Sequence, residues 1–185
     1  DVFGSLLLST SASLKSIVLP KSVKKLDNGC LAGCTLLSDV EISEGTEIIC
    51  THAFSSCQNL RNVLLPSTLK EIWYNGFGAC DRLNKVTTKA VTPPAYAEAC
   101  FDYPERYTLV IDVDAEFAEE AEANYTQAEG WKMFKIEVPK KVITGITDAQ
   151  IKANADKSQI RYRLDGRTMN GNAKGVYIQN GRKFV

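Results

Sequence analysis

The sequence has little of the chemistry that catalysis or metal binding usually requires. It contains one histidine, His52, and its six cysteines never occur as a C-x-x-C pair. Zinc sites of the finger type need cysteine and histidine at such spacing. No G-x-S-x-G motif is present, and His52 has no nucleophile at a recognisable motif. We therefore interpret His52 as structural and predict a protein that is not an enzyme and holds no metal or cofactor.

Long apolar runs and an excess of charge are also absent. No run approaches the roughly 18–20 residues that cross a bilayer, so no transmembrane segment is predicted. The first residues lack the basic segment and apolar run of a signal peptide, so we expect any export signal to lie outside this sequence. The formal net charge is zero, from 22 basic and 22 acidic residues. The basic residues near the C-terminus come without a groove-reading motif or stacked aromatics, so no nucleic-acid partner is expected.

The zero net charge is a cancellation between three blocks. Residues 1–101 hold 9 basic and 9 acidic side chains, residues 102–130 hold 1 and 9, and residues 131–185 hold 12 and 4. Charge divided in this way indicates parts with different surfaces. The blocks agree with three predicted domains, which cover residues 1–88, 89–138 and 139–185.

A repeat of 23 residues runs through the first part. Four sets of equivalent positions show it: Cys34, Cys57 and Cys80; Leu14, Leu37, Leu60 and Leu83; Ile17, Val40, Val63 and Val86; Leu31, Phe54 and Phe77. After Thr88 the phase is lost. Each unit begins with apolar residues at alternate positions, which is typical of a half-buried strand. One unit cannot bury its own apolar edge, so we predict a solenoid of stacked units. We expect the three equivalent cysteines to be buried thiols, while a Cys30–Cys50 or similar disulfide remains open.

These residues resemble the BspA-type leucine-rich repeats of Bacteroidetes surface proteins. The pattern of that family is roughly L-x-x-I-x-I-P-x-x-V-x-x-I-x-x-x-A-F-x-x-C-x-x-L, and residues 37–60 carry most of it. Cys30-Leu31 and Gly76-Phe77 stand where Ala-Phe is usual. The resemblance covers about residues 3–88. It implies a β-rich leucine-rich repeat solenoid, with a truncated first repeat, at the cell surface or outside the cell.

Residues 89–138 are predicted to close the end of the solenoid as an α/β cap. Thr108–Val113 is typical of a strand, and residues 114–125 of a helix with Asp114 at its N-cap. Phe117, Ala121 and Tyr125 recur four residues apart and should face the protein. Glu119, Glu120 and Glu122 should then face solvent, and a helix spreads them too far apart for a calcium site. The P-P-A and W-x-x-F sequences of this stretch are similar to those that often end BspA-like repeats.

Residues 139–185 are predicted to form a small β module. Residues 139–145 read as a linker or an edge strand, and residues 159–164 as a strand that ends at the turn dipeptide Asp165-Gly166. Residues 175–179 and 182–185 flank Asn180-Gly181, the strongest hairpin signal in the chain, with a type I′ turn. This stretch resembles the C-terminal module of secreted Bacteroidetes proteins, with Arg163 where that family usually has aspartate.

The candidate binding site is the outward face of the predicted repeat sheet. Residues alternate between the two faces of a strand, so positions on either side of the inward valines and isoleucine point outward. They are Ser16, Val18, Asp39, Glu41, Asn62, Leu64, Lys85 and Thr87. Val18 and Leu64 are predicted to be exposed.

Solenoids use such extended faces for partners, and here the expected partner is a protein or a glycan. The leading interpretation is a non-catalytic adhesion or binding protein. The alternatives are a structural spacer whose C-terminal module directs export or anchoring, and, less favoured, an enzyme.

Overall fold

The structure, a computed structural model, describes residues 1–139 together with 161–163, 168–169, 177–179 and 182–184. The chain divides into two compact units, Asp1–Pro139 and Lys140–Val185. The strands of the first unit, in chain order, are Val2–Phe3 (β1), Ser16–Val18 (β2), Lys25–Leu26 (β3), Asp39–Glu41 (β4), Ile48–Ile49 (β5), Asn62–Leu65 (β6), Glu71–Ile72 (β7), Lys85–Thr88 (β8), Ala95–Tyr96 (β9), Thr108–Ile111 (β10) and Lys135–Glu137 (β11).

These strands form two parallel sheets. The odd-numbered strands β1 to β9 make a five-stranded sheet, and a six-stranded sheet runs in the order β2, β4, β6, β8, β10, β11. Partners in the larger sheet are one repeat apart, as in the pairs Ser16–Asp39, Asp39–Asn62 and Asn62–Lys85. The predicted leucine-rich repeat solenoid with a 23-residue period is confirmed. Each repeat adds one strand to each sheet, and one core cluster contains residues from both.

The repeat continues structurally past Thr88, so our expectation that its phase ends there is wrong. Lys85 pairs with Thr108, again 23 residues on. In the smaller sheet Ile72 pairs with Tyr96, and Phe77 bridges Phe101, both 24 residues on. One residue is inserted between β7 and β9, and one is removed before β10. The two changes cancel at the strand but break the sequence pattern between them.

Aromatic and cysteine positions form ladders in the core. Phe54, Phe77 and Phe101 stack nearly parallel, with centroids 5.0 and 4.9 Å apart, which is close to the spacing of paired strands. The equivalent thiols each donate to a carbonyl of the preceding repeat: Cys34 to Leu8 at 3.2 Å, Cys57 to Leu31 at 3.3 Å and Cys80 to Phe54 at 3.3 Å. All six cysteines are free and buried, which confirms buried thiols and leaves Cys30 and Cys50 unlinked.

Short helices complete the first unit. They are 3₁₀ turns at Pro104–Arg106, Ala115–Phe117 and Trp131–Met133, and one α-helix, α1, at Ala118–Gln127. Ala121 and Tyr125 are buried as predicted, and the three predicted glutamates are exposed.

Two details of the predicted helix differ from the structure. Phe117 is 40% exposed, so its predicted inward orientation is wrong. It lies in a 3₁₀ turn, which has about 3.0 residues per turn rather than 3.6 and so rotates it away from the buried stripe of α1. Asp114 stands at the N-cap of that turn, but its side chain makes no capping hydrogen bond.

Aromatic side chains fill the end of the first unit. Trp131 is fully buried, and its Nε1 donates to the Pro94 carbonyl at 2.8 Å. The rings of Tyr96 and Tyr125 meet it edge-on at 5.4 Å. The Tyr125 hydroxyl bonds Thr88 Oγ1 at 2.9 Å, so the polar end of this buried tyrosine has a partner.

The second unit contains an antiparallel sheet. Its described strands are Arg161–Arg163 (β12), Thr168–Met169 (β13), Tyr177–Gln179 (β14) and Arg182–Phe184 (β15), in the spatial order β13, β12, β14, β15. Gln179 pairs with Arg182, which confirms the predicted hairpin. Strand β13 was not predicted. The type I′ turn, the Asp165-Gly166 turn and the interpretation of residues 140–145 lie outside the described residues.

Candidate binding face

Two rows of outward side chains cross the six-stranded sheet. The strand register aligns them because each residue has its partner directly opposite on the next strand. The first row is Ser16, Asp39, Asn62, Lys85, Thr108 and Lys135, and the second is Val18, Glu41, Leu64, Thr87, Val110 and Glu137. All eight residues predicted from the sequence lie in these rows.

Exposure varies along the rows for a geometric reason. Val18 is 91% exposed because β2 is an edge strand with a neighbour on only one side. Leu64 is half-buried, which corrects the prediction that it is exposed. It lies on the interior strand β6, where Glu41 and Thr87 flank it.

One hydrogen-bonded group is prominent in the first row. Asn62 donates to Asp39 Oδ1 at 2.6 Å, and Ser38 donates to Asp39 Oδ2 at 2.7 Å. These two bonds, with the Arg61 charge as a smaller contribution, lower the pKa of the Asp39 carboxyl. Asp39 is therefore held as an oriented carboxylate rather than as a free side chain.

Charge is unevenly spread over the face. Strand β4 contributes two carboxylates, Asp39 and Glu41, whereas β8 contributes the ammonium of Lys85. Leu64 and Val110 are both half-buried and lie in the second row with Thr87 between them. The face therefore has an acidic side, a largely apolar centre and basic groups beyond it. Such a pattern can orient a complementary macromolecule.

The face is flat rather than concave. Two open grooves of about 690 and 600 Å³ lie on either side of Thr92 and Pro93, and no residue of either row lines them. Small-molecule sites are usually concave and enclose their ligand. This geometry suits an extended partner better than a small molecule.

Four residues of the face were not predicted from the sequence. Thr108 and Val110 belong to β10, and the 23-residue step from Lys85 and Thr87 would have identified them. Lys135 and Glu137 belong to β11, which pairs with β10 at a step of 27 residues. No repeat signal marks that step, so only the fold reveals them.

Elsewhere in the described part of the chain, no group of three metal-ligating side chains is assembled. No described helix has the length and hydropathy needed to cross a bilayer. Burial raises the pKa of the Cys30 and Cys57 thiols to about 12, so both remain protonated at neutral pH. As protonated thiols they act as hydrogen-bond donors, not as nucleophiles.

Comparison with known proteins gives one family. The model of the BspA type leucine rich repeat region matches residues 3–103 in six copies. A leucine rich cell surface protein from Faecalibacterium prausnitzii A2-165 has a solved structure that is 27% identical, with a TM-score of 0.45. The match covers 46% of this chain and 22% of that one, so this chain spans about a fifth of its length. No curated protein matches.

Proposed function

We propose, from the premise that this chain belongs to the BspA-type leucine-rich repeat family, that it is a non-catalytic binding protein. The compartment we propose is the outer cell surface or the medium around the cell. The resemblance to surface proteins of Bacteroidetes supports that compartment. Adhesion to a protein partner is the role that the face of the six-stranded sheet supports best.

The observation that carries this proposal is the register of the larger sheet. It presents twelve outward side chains in two straight rows on a rigid parallel framework. Rigid side chains lose little entropy on binding, which favours affinity. The half-buried Leu64 and Val110 supply an apolar centre, and the surrounding carboxylates and ammonium groups supply orientation.

A protein partner can be tested with a panel of purified extracellular matrix proteins immobilised on a sensor surface. The test variant combines Glu41→Lys, Leu64→Ala and Lys85→Glu, which alters the acidic side, the centre and the basic side together. We expect the full chain to bind at least one panel member and this variant to lose about tenfold or more in affinity. Its melting temperature should stay within about 2 °C, because surface substitutions cost little stability.

A matched control carries the same kinds of change outside the two rows. Lys21→Glu, Leu36→Ala and Glu116→Lys alter exposed residues that do not belong to the six-stranded sheet. The control should bind as the unmodified chain does. Equal affinity of the test variant and the control, or no binding by the unmodified chain, would refute the proposed role of this face.

We also propose that residues 89–138 act as the cap of the solenoid. The buried rings of Trp131 and Phe134 and the strands β10 and β11 support this assignment. A solenoid end without such a cover would expose the apolar interior of its last repeat.

The alternative function is that of a spacer whose residues 139–185 direct export or anchoring. The compact unit formed by Lys140–Val185 favours it. Under this alternative, deletion of residues 143–185 would change where the protein accumulates in fractionated cells, while the triple change in the sheet face would have no effect on any binding.

A further inference from the structure

A cluster of rings lies at the turn that follows β7. Trp73, Tyr74 and Asn75 are consecutive, and His52 precedes Asn75 by one repeat. Stacking of adjacent repeats brings residues 23 apart side by side. The Tyr74 ring, 52% exposed, meets the exposed His52 ring edge-on, with centroids 5.7 Å apart and planes at 86°. We call these four residues together with Glu71 the imidazole–aromatic cluster.

Asn75 sets the orientation and the tautomer of the histidine. Its side-chain Nδ2 lies 3.0 Å from His52 Nδ1. An amide nitrogen can only donate, so Nδ1 accepts, and the proton of the neutral ring lies on Nε2. Asn75 reaches this position because residue 78 is glycine: a Cβ on Gly78 would lie 1.8 Å from Asn75 Oδ1. The cluster therefore has an N–H donor on an exposed side chain.

The charged groups of this region are already paired. Trp73 Nε1 donates to Glu71 Oε2 at 2.6 Å. Lys25 Nζ lies 5.6 Å from the Trp73 ring centroid and 3.5 Å from Asp27 Oδ1. A charged ligand would have to compete with these pairs. The Glu71 carboxylate can still accept further hydrogen bonds because its two oxygens have about four lone-pair sites.

We propose that the imidazole–aromatic cluster binds a neutral saccharide. The C–H bonds of a sugar ring carry partial positive charge and are attracted to the negative face of an aromatic ring, which Tyr74 supplies. Sugar hydroxyls donate and accept, so they match the Glu71 carboxylate and the His52 Nε2–H. The cluster belongs to the smaller sheet and its following turns, so this site is separate from the two rows of the larger sheet.

An array of neutral oligosaccharides, with sialylated and sulfated ones as a charged set, tests this proposal on the full chain. We expect binding to at least one neutral member, with Tyr74→Ala losing about tenfold or more in affinity. Tyr103→Ala is the matched control, because Tyr103 is 50% exposed but lies against Arg106 elsewhere on the surface. Binding to no neutral member, or equal losses in both variants, would overturn the proposal.

A second pair of variants separates stacking from hydrogen bonding. His52→Phe keeps a ring beside Tyr74 but removes the donor, so we expect about a fivefold loss of affinity for the same oligosaccharide. Gly78→Ala should displace Asn75 and release the imidazole, with a similar loss, and thermal melting reports whether each variant folds. Unchanged affinity in a folded His52→Phe variant would contradict the role assigned to the imidazole.

Fluorescence gives a readout that does not depend on the array. The chain has two tryptophans, and Trp131 is fully buried, so a bound saccharide should alter only the emission of Trp73. Titration of the neutral oligosaccharide should shift the emission, and Trp73→Phe should abolish the shift. The triple variant of the sheet face should retain it, so failure of that face and failure of this site are distinguishable. A shift that persists in Trp73→Phe would refute the site.

Discussion

Two regions of the first unit are stabilised in different ways. In the repeat stack, residues 2–88, the same contact recurs on every rung, as the thiol-to-carbonyl bonds of Cys34, Cys57 and Cys80 show. In the aromatic end, residues 94–134, contacts occur once. Trp131 meets Tyr96 and Tyr125 edge-on, whereas Phe54 and Phe77 stack at 2°.

The difference follows from symmetry. A translated unit places identical side chains above one another, so rings stack in parallel and small groups repeat their bonds. The last rung has no translated neighbour, and its apolar surface must be covered by side chains of other shapes. Energy is therefore distributed over many small, equal contacts in the repeat stack and concentrated in a few large ones at the aromatic end.

Alkaline pH should cause the largest effect, and it acts on the repeat stack. An ordinary thiol has a pKa of 9.0, and burial raises the pKa of Cys30 and Cys57 to about 12 in the folded chain. The unfolded chain thus loses these protons first. The stabilisation is complete below pH 9 and is lost as the pH rises from 9 to 12, by about 1.4 kcal/mol per thiol per pH unit at most.

Urea unfolding at pH 8, 9, 10 and 10.5 measures this dependence. Cys57→Ala should show a shallower slope above pH 9 by about one thiol's share. A free energy of unfolding that is constant between pH 9 and 10.5 would contradict the assignment.

Removal of the central indole should cause the largest effect of any single substitution. Trp131→Ala leaves a cavity in a fully buried site and leaves the Pro94 carbonyl without its donor. We expect a loss of about 3–5 kcal/mol in the free energy of unfolding. Phe54→Leu, in the repeat stack, should cost about 1 kcal/mol because it shortens one ring of a ladder. Equal costs would mean that the two regions do not differ as described.

Gly130→Ala tests how tightly the aromatic end is packed. Gly130 has a φ of +76°, and a Cβ there would lie 2.3 Å from the Tyr96 ring. We expect a loss of about 2–3 kcal/mol, from backbone strain and displacement of the ring. Gly4→Ala is the control because no atom lies within 4 Å of its added Cβ. A neutral Gly130→Ala would show that Tyr96 can move freely.

The smallest effect is expected at a surface rung of the repeat stack. Lys70 Nζ lies 2.7 Å from Glu47 Oε2, with the two side chains 67% and 35% exposed. Lys70→Ala should cost at most about 0.5 kcal/mol, since exposed ion pairs are screened by water and salt. Thermal melting at low and high salt measures it, and a cost above about 1.5 kcal/mol would contradict the view that single repeat contacts are small.

Much of the repeat stack was predictable because its period is written in side-chain type. The 23-residue step gives the pairing Ile17–Val40–Val63–Val86 directly, and the alternation within each strand gives the eight outward residues. The step failed as a guide after Thr88, where one inserted and one missing residue hide a register that the backbone retains between β8 and β10. Spacing in sequence detects regular translation but not compensated irregularity.

The aromatic end and the imidazole–aromatic cluster were less predictable. The spacing of Ala121 and Tyr125 correctly predicted a buried helical stripe, but a 3₁₀ turn turned Phe117 toward solvent. His52 and Asn75 carry no recognisable motif. Their contact requires two left-handed backbone positions, with φ of 59° and 55°, to be stacked on consecutive repeats.

The sequence by itself determined that equivalent apolar residues must stack, because a 23-residue unit has too little interior to bury its own side chains. It thereby determined the leucine-rich repeat class, the strand register through β8 and the identity of the buried thiols. The tertiary structure alone decided how the stack ends and what its surfaces present. Those features depend on contacts between residues without a common period: Trp131 with Pro94, β11 with β10, and His52 with an asparagine placed over a glycine.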